Sequence, residues 1–221
     1  LRVQIVPSNE MSRALYISGL YEPTAATVVR RLLPVGGTFF DIGANVGLFT
    51  LLAAVSVGSG GVVHAFEPSA REFARLTEHV RMNGLGDRVH AVGMAVADAE
   101  GTAVLHVAED AHSGHNTLSD GFANTTVVQT GLEEVPVRTL DRYVLDTGVR
   151  RLDVVKMDAE GSEGRILAQQ DIVLPQNGES STFRVQFLAP DAGLKTFRFR
   201  VPAQEGEQVA DCILRIRPSE A

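Results

Sequence analysis

Two acidic residues close to the ends of apolar runs are the residues of this chain best placed to do chemistry. The first run reaches Asp41 and then turns on Gly43 and Gly47 before a helix. The second run ends at Glu67, 20 residues after Gly47. Apolar strands that lead through glycine turns into helices are typical of parallel α/β sheets, whose ligands bind beyond the carboxyl ends of the strands. The two acids therefore predict a nucleotide-type cofactor site at one edge of a sheet.

Asp41 and the glycine spacing discriminate between cofactors, whereas Glu67 alone does not, because ribose recognition is common to NAD and SAM sites. A pyrophosphate binds backbone N–H groups at a helix N-terminus, and a neighbouring carboxylate would repel it. The G-x-G pair of dinucleotide sites is also absent from Gly43-Ala-Asn-Val-Gly47. Asp41 would instead attract the ammonium and sulfonium groups of S-adenosylmethionine (SAM). Glu67 is placed to accept hydrogen bonds from both ribose hydroxyls. SAM is therefore favoured over NAD(P), and the alternative is a strand–turn–helix whose glycines serve packing alone.

Two further residues are candidates for the cofactor site, each with a structural alternative. Asn45 can direct its amide at the cofactor carboxylate, or it can cap the following helix. Glu22, in the turn Tyr21-Glu22-Pro23, can contact the methionine end of SAM, or it can be a solvated turn residue. The predicted SAM ligands are Glu22, Asp41, Gly43, Asn45, Gly47, Glu67 and Asp158.

The predicted catalytic residues follow a third apolar strand. Asp158 directly follows the run 152–157, and Glu160 lies two residues further on. Together they could position the methionine amine and deprotonate an acceptor. Asp158 needs a partner because it ends a buried strand, and Lys156 could be that partner in a purely structural pair. Glu160 could equally be a favourable acid in the first turn of a helix.

A histidine pair supplies the other candidate base. His112 and His115 lie in a polar loop, and a histidine with an ordinary pKa near 6.5 could be the base. His115 is therefore included among the predicted catalytic residues. The alternatives are two exposed loop histidines, or a metal pair with Asp110, for which the spacing is a weak indication. No metal site is predicted.

Five short blocks resemble the FkbM-type SAM-dependent methyltransferases. They are Leu20-Tyr-Glu-Pro23, Phe40-Asp-Ile-Gly-Ala-Asn-Val-Gly47, Ala65-Phe-Glu-Pro68, Val137-Arg-Thr-Leu-Asp141 and Asp153-Val-Val-Lys-Met-Asp-Ala-Glu-Gly-Ser-Glu163. The blocks occur in the family's order, and the resemblance covers about residues 15 to 170. It implies a Rossmann-like fold, SAM as methyl donor, and O-methylation of a hydroxyl on a small molecule or sugar. An NAD(P) oxidoreductase is disfavoured.

The elements that would position these residues alternate between strands and helices, which predicts an α/β fold with a doubly wound, mostly parallel sheet. Helices are expected over 24–33 and 46–57, and a third helix after a capping box formed by Ser69 and Glu72. A short helix should begin in Thr139-Leu-Asp141. Strands are expected over 39–42, 62–66, 88–94, 103–107, 135–137 and 152–157.

The last fifty residues differ in character. Residues 175–182 are polar and predict a linker, and three strand-like runs follow over 182–188, 195–201 and 212–217 without helices between them. We therefore predict a SAM-dependent methyltransferase domain over 1–172 and an atypical β-rich tail over 173–221. The tail either completes the sheet or forms a separate β element. The alternative function is a SAM-binding or degenerate scaffold whose tail mediates association, for example as a homo-oligomer, or ligand binding.

Composition argues against a nucleic-acid-binding, a disulfide-linked or a membrane-spanning protein. The net charge of −7 and pI near 5.4 give no electrostatic footprint for nucleic acid or an anionic membrane. One cysteine excludes an intrachain disulfide. No apolar stretch approaches the ~20 residues of a membrane span. A cytoplasmic location is expected.

Overall fold

The computed structural model describes residues 1–19, 21–118 and 128–159, and beyond them the backbone of four strands. The helices are α1 (Glu10–Ser18), α2 (Pro23–Leu32), α3 (Leu48–Val57), α4 (Ala70–Met82) and α5 (Leu140–Thr147). The strands are β1 (Thr38–Ile42), β2 (Val62–Phe66), β3 (Val89–Val92), β4 (Ala95–Val96), β5 (Gly101–Ala108), β6 (Gln129–Arg138), β7 (Val154–Met157), β8 (Asp171–Gln176), β9 (Glu179–Arg184), β10 (Gly193–Ala203) and β11 (Gly206–Ile216).

The central sheet has six strands in the order β10-β11-β7-β1-β2-β3. Every neighbouring pair from β11 to β3 is parallel, and β10 runs antiparallel at the edge. The predicted α/β fold with a mostly parallel sheet is confirmed. Because the strands are parallel, the polar residues that follow β1, β2 and β7 meet at one edge of the sheet.

Buried apolar residues cover both faces of this sheet. Phe39 packs with α2, α3 and α4 on one face, whereas Phe40, next in sequence, packs with α5 on the other. This alternation is expected of a strand whose successive side chains point to opposite faces. Phe39 and Phe40 are both fully buried, so β1 is fixed firmly at the centre of the fold.

A second, smaller sheet in the order β4-β6-β5 lies between β3 and α5 in the chain. After β5 the chain forms a 3₁₀ segment over Asp110–His115. We call this the covering segment, because it forms part of the wall of the candidate site described below.

Helix α1 was not predicted. The helices and strands that were predicted for the first half match the observed ones within a few residues, but the Ser69–Glu72 capping box is wrong. In a capping box the Ser hydroxyl would accept a backbone N–H, and the Glu would bond the backbone N–H of the Ser. Instead, Ser69 Oγ donates to Glu72 Oε2 at 2.6 Å, and the Ser69 N–H donates to Glu67 Oε1 at 2.9 Å. Glu67 therefore takes the bond that Glu72 was expected to make.

The predicted linker over 175–182 is also wrong, because β8 and β9 form an antiparallel hairpin across it. Further on, β11 pairs with β7 in parallel, so β10 and β11 complete the central sheet, whereas β8 and β9 form a separate two-stranded sheet. The boundary predicted between residues 172 and 173 falls inside β8, and the division into two domains stays a prediction. Within the described part of the chain, every helix is too short or too polar to cross a bilayer.

Candidate functional site

Two adjoining pockets lie at the carboxyl edge of β1, β2 and β7. The Glu67 pocket is lined by Glu67 and by apolar side chains that include Met94, Leu105 and Leu118. The His115 pocket is lined by polar side chains from α1, the turn before α2, the covering segment and the end of β7. These are Glu10, Tyr21, His115, Lys156 and Asp158. Both pockets share Gly43, Asn45, Gly114 and Asp158, so they meet at the turn after β1.

Gly43 and Gly47 shape this turn by packing. Gly43 has φ +69°, and a Cβ there would lie 2.0 Å from the backbone oxygen of Asp158. Gly47 has φ +88°, and a Cβ would lie 2.4 Å from Leu76 Cδ1 on α4. The first glycine therefore brings the turn against the end of β7, and the second brings it against α4. Packing explains both glycines, and of the two only Gly43 also lines the pockets.

Glu67 is the acid of the first pocket. Its two carboxylate oxygens accept backbone N–H groups, Oε2 from Asn45 at 2.7 Å and Oε1 from Ser69 at 2.9 Å. Burial raises the pKa of Glu67 to about 8, against the opposing effect of these two N–H groups. Each oxygen keeps a further lone pair. A ligand that donates hydroxyl groups can therefore bind this carboxylate.

Asn45 joins the turn to the covering segment. Besides the bond from its N–H to Glu67, its Nδ2 donates to the Ser113 carbonyl at 2.8 Å. Its Oδ1 accepts the N–H of Val46. The expectation that Asn45 caps the next helix is wrong, because Gly47 occupies the N-cap position of α3. Its backbone adopts φ +49°, a left-handed conformation that asparagine tolerates better than most residues.

Asp41 does not line either pocket. It is fully buried, Oδ2 accepts the Thr50 hydroxyl at 2.6 Å, and Oδ1 lies 3.4 Å from Lys156 Nζ. The expected repulsion of a pyrophosphate by Asp41 is weakened, because the neighbouring ammonium of Lys156 offsets its charge. Any influence of Asp41 on a ligand passes through Lys156 and the turn.

Lys156 connects the buried pair to the site. Its Nζ donates to the Gly43 carbonyl at 2.8 Å, and it lines the His115 pocket. Burial lowers the pKa of Lys156, but the carboxylates of Asp41, Asp158 and Glu22 outweigh burial and raise it above its ordinary value. Lys156 is therefore a cation that faces three acids.

Asp158 lines both pockets, as expected for a residue at the end of β7. Its Oδ1 is buried and has no hydrogen-bond partner within the described part of the chain. A buried carboxylate oxygen without a donor costs free energy. This orphaned atom is the observation that best fits a ligand carrying N–H or O–H donors.

The remaining predicted residues have fewer contacts with the site, or lie outside the described residues. Glu22 has φ +45° at the N-cap of α2, and it acts on the site through its charge near Lys156. His115 lines its pocket, with Nδ1 4.0 Å from Glu10 Oε1. His112 Nδ1 lies 3.0 Å from Glu109 Oε1. Within the described residues, no group of three or more acids, histidines or cysteines could hold a metal ion. Glu160 lies outside the described residues.

The covering segment is held from three sides. Asn9 Nδ2 donates to the Asp110 carbonyl at 2.7 Å and to Ser113 Oγ at 2.9 Å. From α4, the guanidinium of Arg75 binds both carboxylate oxygens of Asp110. Asn45 supplies the third contact, to Ser113. The wall of both pockets is therefore fixed by side chains from distant parts of the chain.

Sequence reasoning placed His115 of the covering segment at the site, but it missed the start of α1 and the other side chains around that segment. The missed residues are Asn9, Glu10 and Ser113, and also Asn116, which follows the covering segment directly and lines the Glu67 pocket. An asparagine before a helical run is an N-cap signal, and Asn9 does cap α1 through the Ser12 N–H. That signal locates the helix, but it does not show that the helix borders the site.

The chain is similar in sequence to a methyltransferase domain and to two known proteins. A model of the methyltransferase FkbM domain matches residues 41–197. The 31-O-demethyl-FK506 methyltransferase FkbM of Streptomyces tacrolimicus is 29% identical, with 60% of this chain and 59% of the relative covered. The AMB antimetabolite synthetase AmbE of Pseudomonas aeruginosa is 24% identical, with 63% of this chain and 8% of the relative covered. The chain thus spans less than two thirds of either relative.

Two solved structures are similar to parts of this chain. A methyltransferase FkbM from Methylobacillus flagellatus KT is 17% identical, with 75% of this chain and 33% of that chain covered and a TM-score of 0.40. A SAM-dependent methyltransferase from Aquifex aeolicus is 17% identical, with 69% and 51% covered and a TM-score of 0.33.

Proposed function

This chain belongs to the methyltransferase FkbM domain family, and from that premise we propose that it transfers a methyl group from SAM to a hydroxyl oxygen of a small molecule or sugar. The observation that carries the proposal is the pair of acids that end β2 and β7. Glu67 and Asp158 both line the Glu67 pocket. Asp158 Oδ1 is buried and accepts no hydrogen bond within the described part of the chain.

The residues of the two pockets fit the parts of SAM. Glu67 would accept the ribose hydroxyls, and the apolar lining beside it suits an adenine ring. Asp158 would accept N–H groups of the methionine amine. When bound, SAM supplies a methyl group attached to a positively charged sulfur, and a hydroxyl oxygen can attack the carbon of that methyl group.

Charge supports a cationic donor over a phosphate. Three carboxylates, those of Asp41, Asp158 and Glu22, act on the single ammonium of Lys156. This region therefore carries surplus negative charge even though Asp41 itself is paired. A sulfonium and an ammonium are favoured in such a field, whereas a pyrophosphate is not.

Residues of this chain would orient the acceptor and take its proton. Asp158 and His115 line the same pocket, and Glu160 follows Asp158 in the chain. Orientation supplies most of the rate enhancement, and a well-placed base adds roughly 10²–10⁴-fold. The Streptomyces relative is named for methylation at an oxygen, which supports a hydroxyl as the acceptor for this chain.

The experiment that tests the proposal has two parts. Calorimetric titration with SAM and its demethylated product should show binding, and NADH should show none. Incubation with methyl-labelled SAM and a panel of monosaccharides, 4-nitrophenyl glycosides and hydroxylated macrolides should then yield one methylated product by mass spectrometry. Absence of SAM binding at millimolar concentration would contradict the proposal.

The scaffold alternative gives a different result in the same experiment. A degenerate site would bind SAM but leave every acceptor unmodified, and Asp158→Asn would change nothing beyond the affinity for SAM. The tail strands give this alternative its motivation, because β10 is an edge strand of the sheet and edge strands can pair with another chain.

A further inference from the structure

The His115 pocket contains an acid that no sequence motif marks. Glu10, the first residue of α1, places Oε1 4.0 Å from His115 Nδ1. Both residues line the same pocket as Asp158 and Lys156. The His115 side chain is 24% exposed and that of Glu10 is 43% exposed, so the pair lies at the entrance of the pocket.

A single buried side chain joins the two elements that carry this pair. Asn9 is 4% exposed, and its Oδ1 caps α1 by accepting the Ser12 N–H at 3.1 Å. Its Nδ2 donates to the Asp110 carbonyl and to Ser113 Oγ in the covering segment. Glu10 follows Asn9 directly, and His115 lies two residues after Ser113. Asn9 therefore links the start of α1, which carries the acid, to the segment that carries the histidine.

Other charged or titratable groups also face His115. Lys156 and Asp158 border the pocket from the end of β7, and Tyr21 borders it from the turn before α2. Within the covering segment the His112 ring centroid lies 6.0 Å from that of His115. Glu10 is at ion-pair distance and lies on the Nδ1 side of the ring.

This arrangement suits a base with an orienting acid behind it. A proton on Nδ1, the nitrogen nearer Glu10, leaves Nε2 as the nitrogen that can accept a proton. The carboxylate also stabilises the imidazolium that forms when a second proton arrives. A base oriented by a third group is a common arrangement in enzymes.

We propose that Glu10 is a positioning residue that holds His115 as the proton acceptor in methyl transfer, an inference that rests on the function proposed above. The acceptor O–H bond breaks and its proton moves to His115 Nε2. The oxygen electron pair forms the new bond to carbon, and the electron pair of the broken carbon–sulfur bond stays on sulfur.

The test compares Glu10→Gln with a matched control, Glu109→Gln. Glu109 lies 3.0 Å from His112, so the control removes a similar acid–histidine pair next to the covering segment. The ring resonances of His115 are followed by NMR across pH without any ligand. The value of kcat, the KM for SAM and the pH–rate profile are measured with the best acceptor of the panel.

Glu10→Gln should move the midpoint of the His115 titration, and the acidic limb of the kcat profile, to lower pH by roughly half a unit. It should lower kcat about two- to fivefold with the KM for SAM unchanged. Glu10→Asp should recover part of the loss, and Glu109→Gln should leave His115 and kcat as they are.

Each failure has its own meaning. If Glu10→Gln leaves kcat unchanged in an active enzyme, the positioning role is overturned and the proposed function stands, whether or not the NMR midpoint moves. If the wild-type chain methylates nothing in the panel, the proposed function and this inference fall together.

Discussion

Asp41 and Lys156 face each other across two neighbouring parallel strands, with Lys156 Nζ 3.4 Å from Asp41 Oδ1. The register of β1 and β7 pairs the two positions directly. Both side chains are buried, with Lys156 8% exposed and Asp41 not exposed at all. The strand pairing thus builds a buried ion pair, which supports the turn after β1 through the bond from Lys156 to Gly43.

Replacing one member of this pair should be strongly destabilising. Lys156→Met leaves Asp41 buried without its cation, and we expect a loss of about 3–5 kcal/mol in the free energy of unfolding. The double variant Asp41→Asn/Lys156→Met removes the uncompensated charge and should regain part of the loss. Urea unfolding of the two single variants and the double variant measures the coupling. Strictly additive losses would show that the pair does not interact.

Gly43 should be intolerant of any side chain. In Gly43→Ala the new Cβ would lie 2.0 Å from the Asp158 carbonyl oxygen, so the turn must move away from the end of β7. We expect a SAM affinity at least tenfold weaker, measured by calorimetry, because the turn lines both pockets.

The matched control for this change is Gly84→Ala. Gly84 also has a positive φ, +63°, but a Cβ there meets nothing within 4 Å. It should cost only the backbone strain of about 1 kcal/mol and leave SAM binding unchanged. Equal losses of SAM affinity in both variants would contradict the role of the close approach to Asp158.

The limits of sequence reasoning are clear at Asp41. The pattern located β2 over 62–66 with the observed bounds, because a glycine run precedes an apolar run that ends at Glu67-Pro68. It also located the turn after β1. It could not show that Lys156, far along the chain, lies opposite Asp41, because strand register is a three-dimensional property. The contacts of Asn9 with the covering segment were missed for the same reason.

Ribose binding at Glu67 should depend on pH. Burial raises the pKa of Glu67 to about 8, so the free site holds a proton at pH 6. Ribose hydroxyls donate best to the ionised carboxylate, and binding therefore releases the proton. Affinity should rise with pH by up to about tenfold per unit below pH 8 and then level off.

The probe for this prediction is 5′-methylthioadenosine, which carries the ribose diol but no titrating amine. Calorimetry in two buffers with different ionisation enthalpies counts the protons released at pH 7. Glu67→Gln is the control, and it should bind more weakly with no pH dependence between 6 and 8. A wild-type affinity that is flat over this range would contradict an ionisation of Glu67 linked to binding.

Without a ligand, Glu67 should make the free energy of unfolding fall as the pH rises, whereas the ligand affinity rises with pH. Its folded pKa of about 8 lies above the ordinary value of 4.5, so the folded state binds the proton more tightly. The stabilising contribution is complete below about pH 4.5 and is lost as the pH rises to about 8. Thermal unfolding of the wild type should show this decline relative to Glu67→Gln.

The Arg75–Asp110 contact should control the covering segment. Arg75→Gln removes the two hydrogen bonds that the guanidinium on α4 donates to the Asp110 carboxylate. The covering segment should therefore detach from α4 more often. We expect faster hydrogen exchange over residues 109–116 and a several-fold higher KM for SAM. Arg81→Gln is the matched control on the same helix, since its contact with Glu78 is exposed and should contribute little. Equal exchange in both variants would contradict the tethering role of Arg75.

Removing the tail tests whether residues 173–221 are an appendage. β11 pairs with β7 in parallel beside the positions of Lys156 and Met157, so truncation after residue 172 would turn β7 into an edge strand. The backbone groups of Val154 and Val155, whose side chains are buried, would lose their partners on that side. We expect the truncated chain to aggregate or to unfold without cooperativity, measured by light scattering and circular dichroism. Deletion of 217–221 alone, beyond β11, should leave a cooperative fold. A truncated protein that unfolds like the full chain and still binds SAM would show that the pairing of β11 with β7 is dispensable.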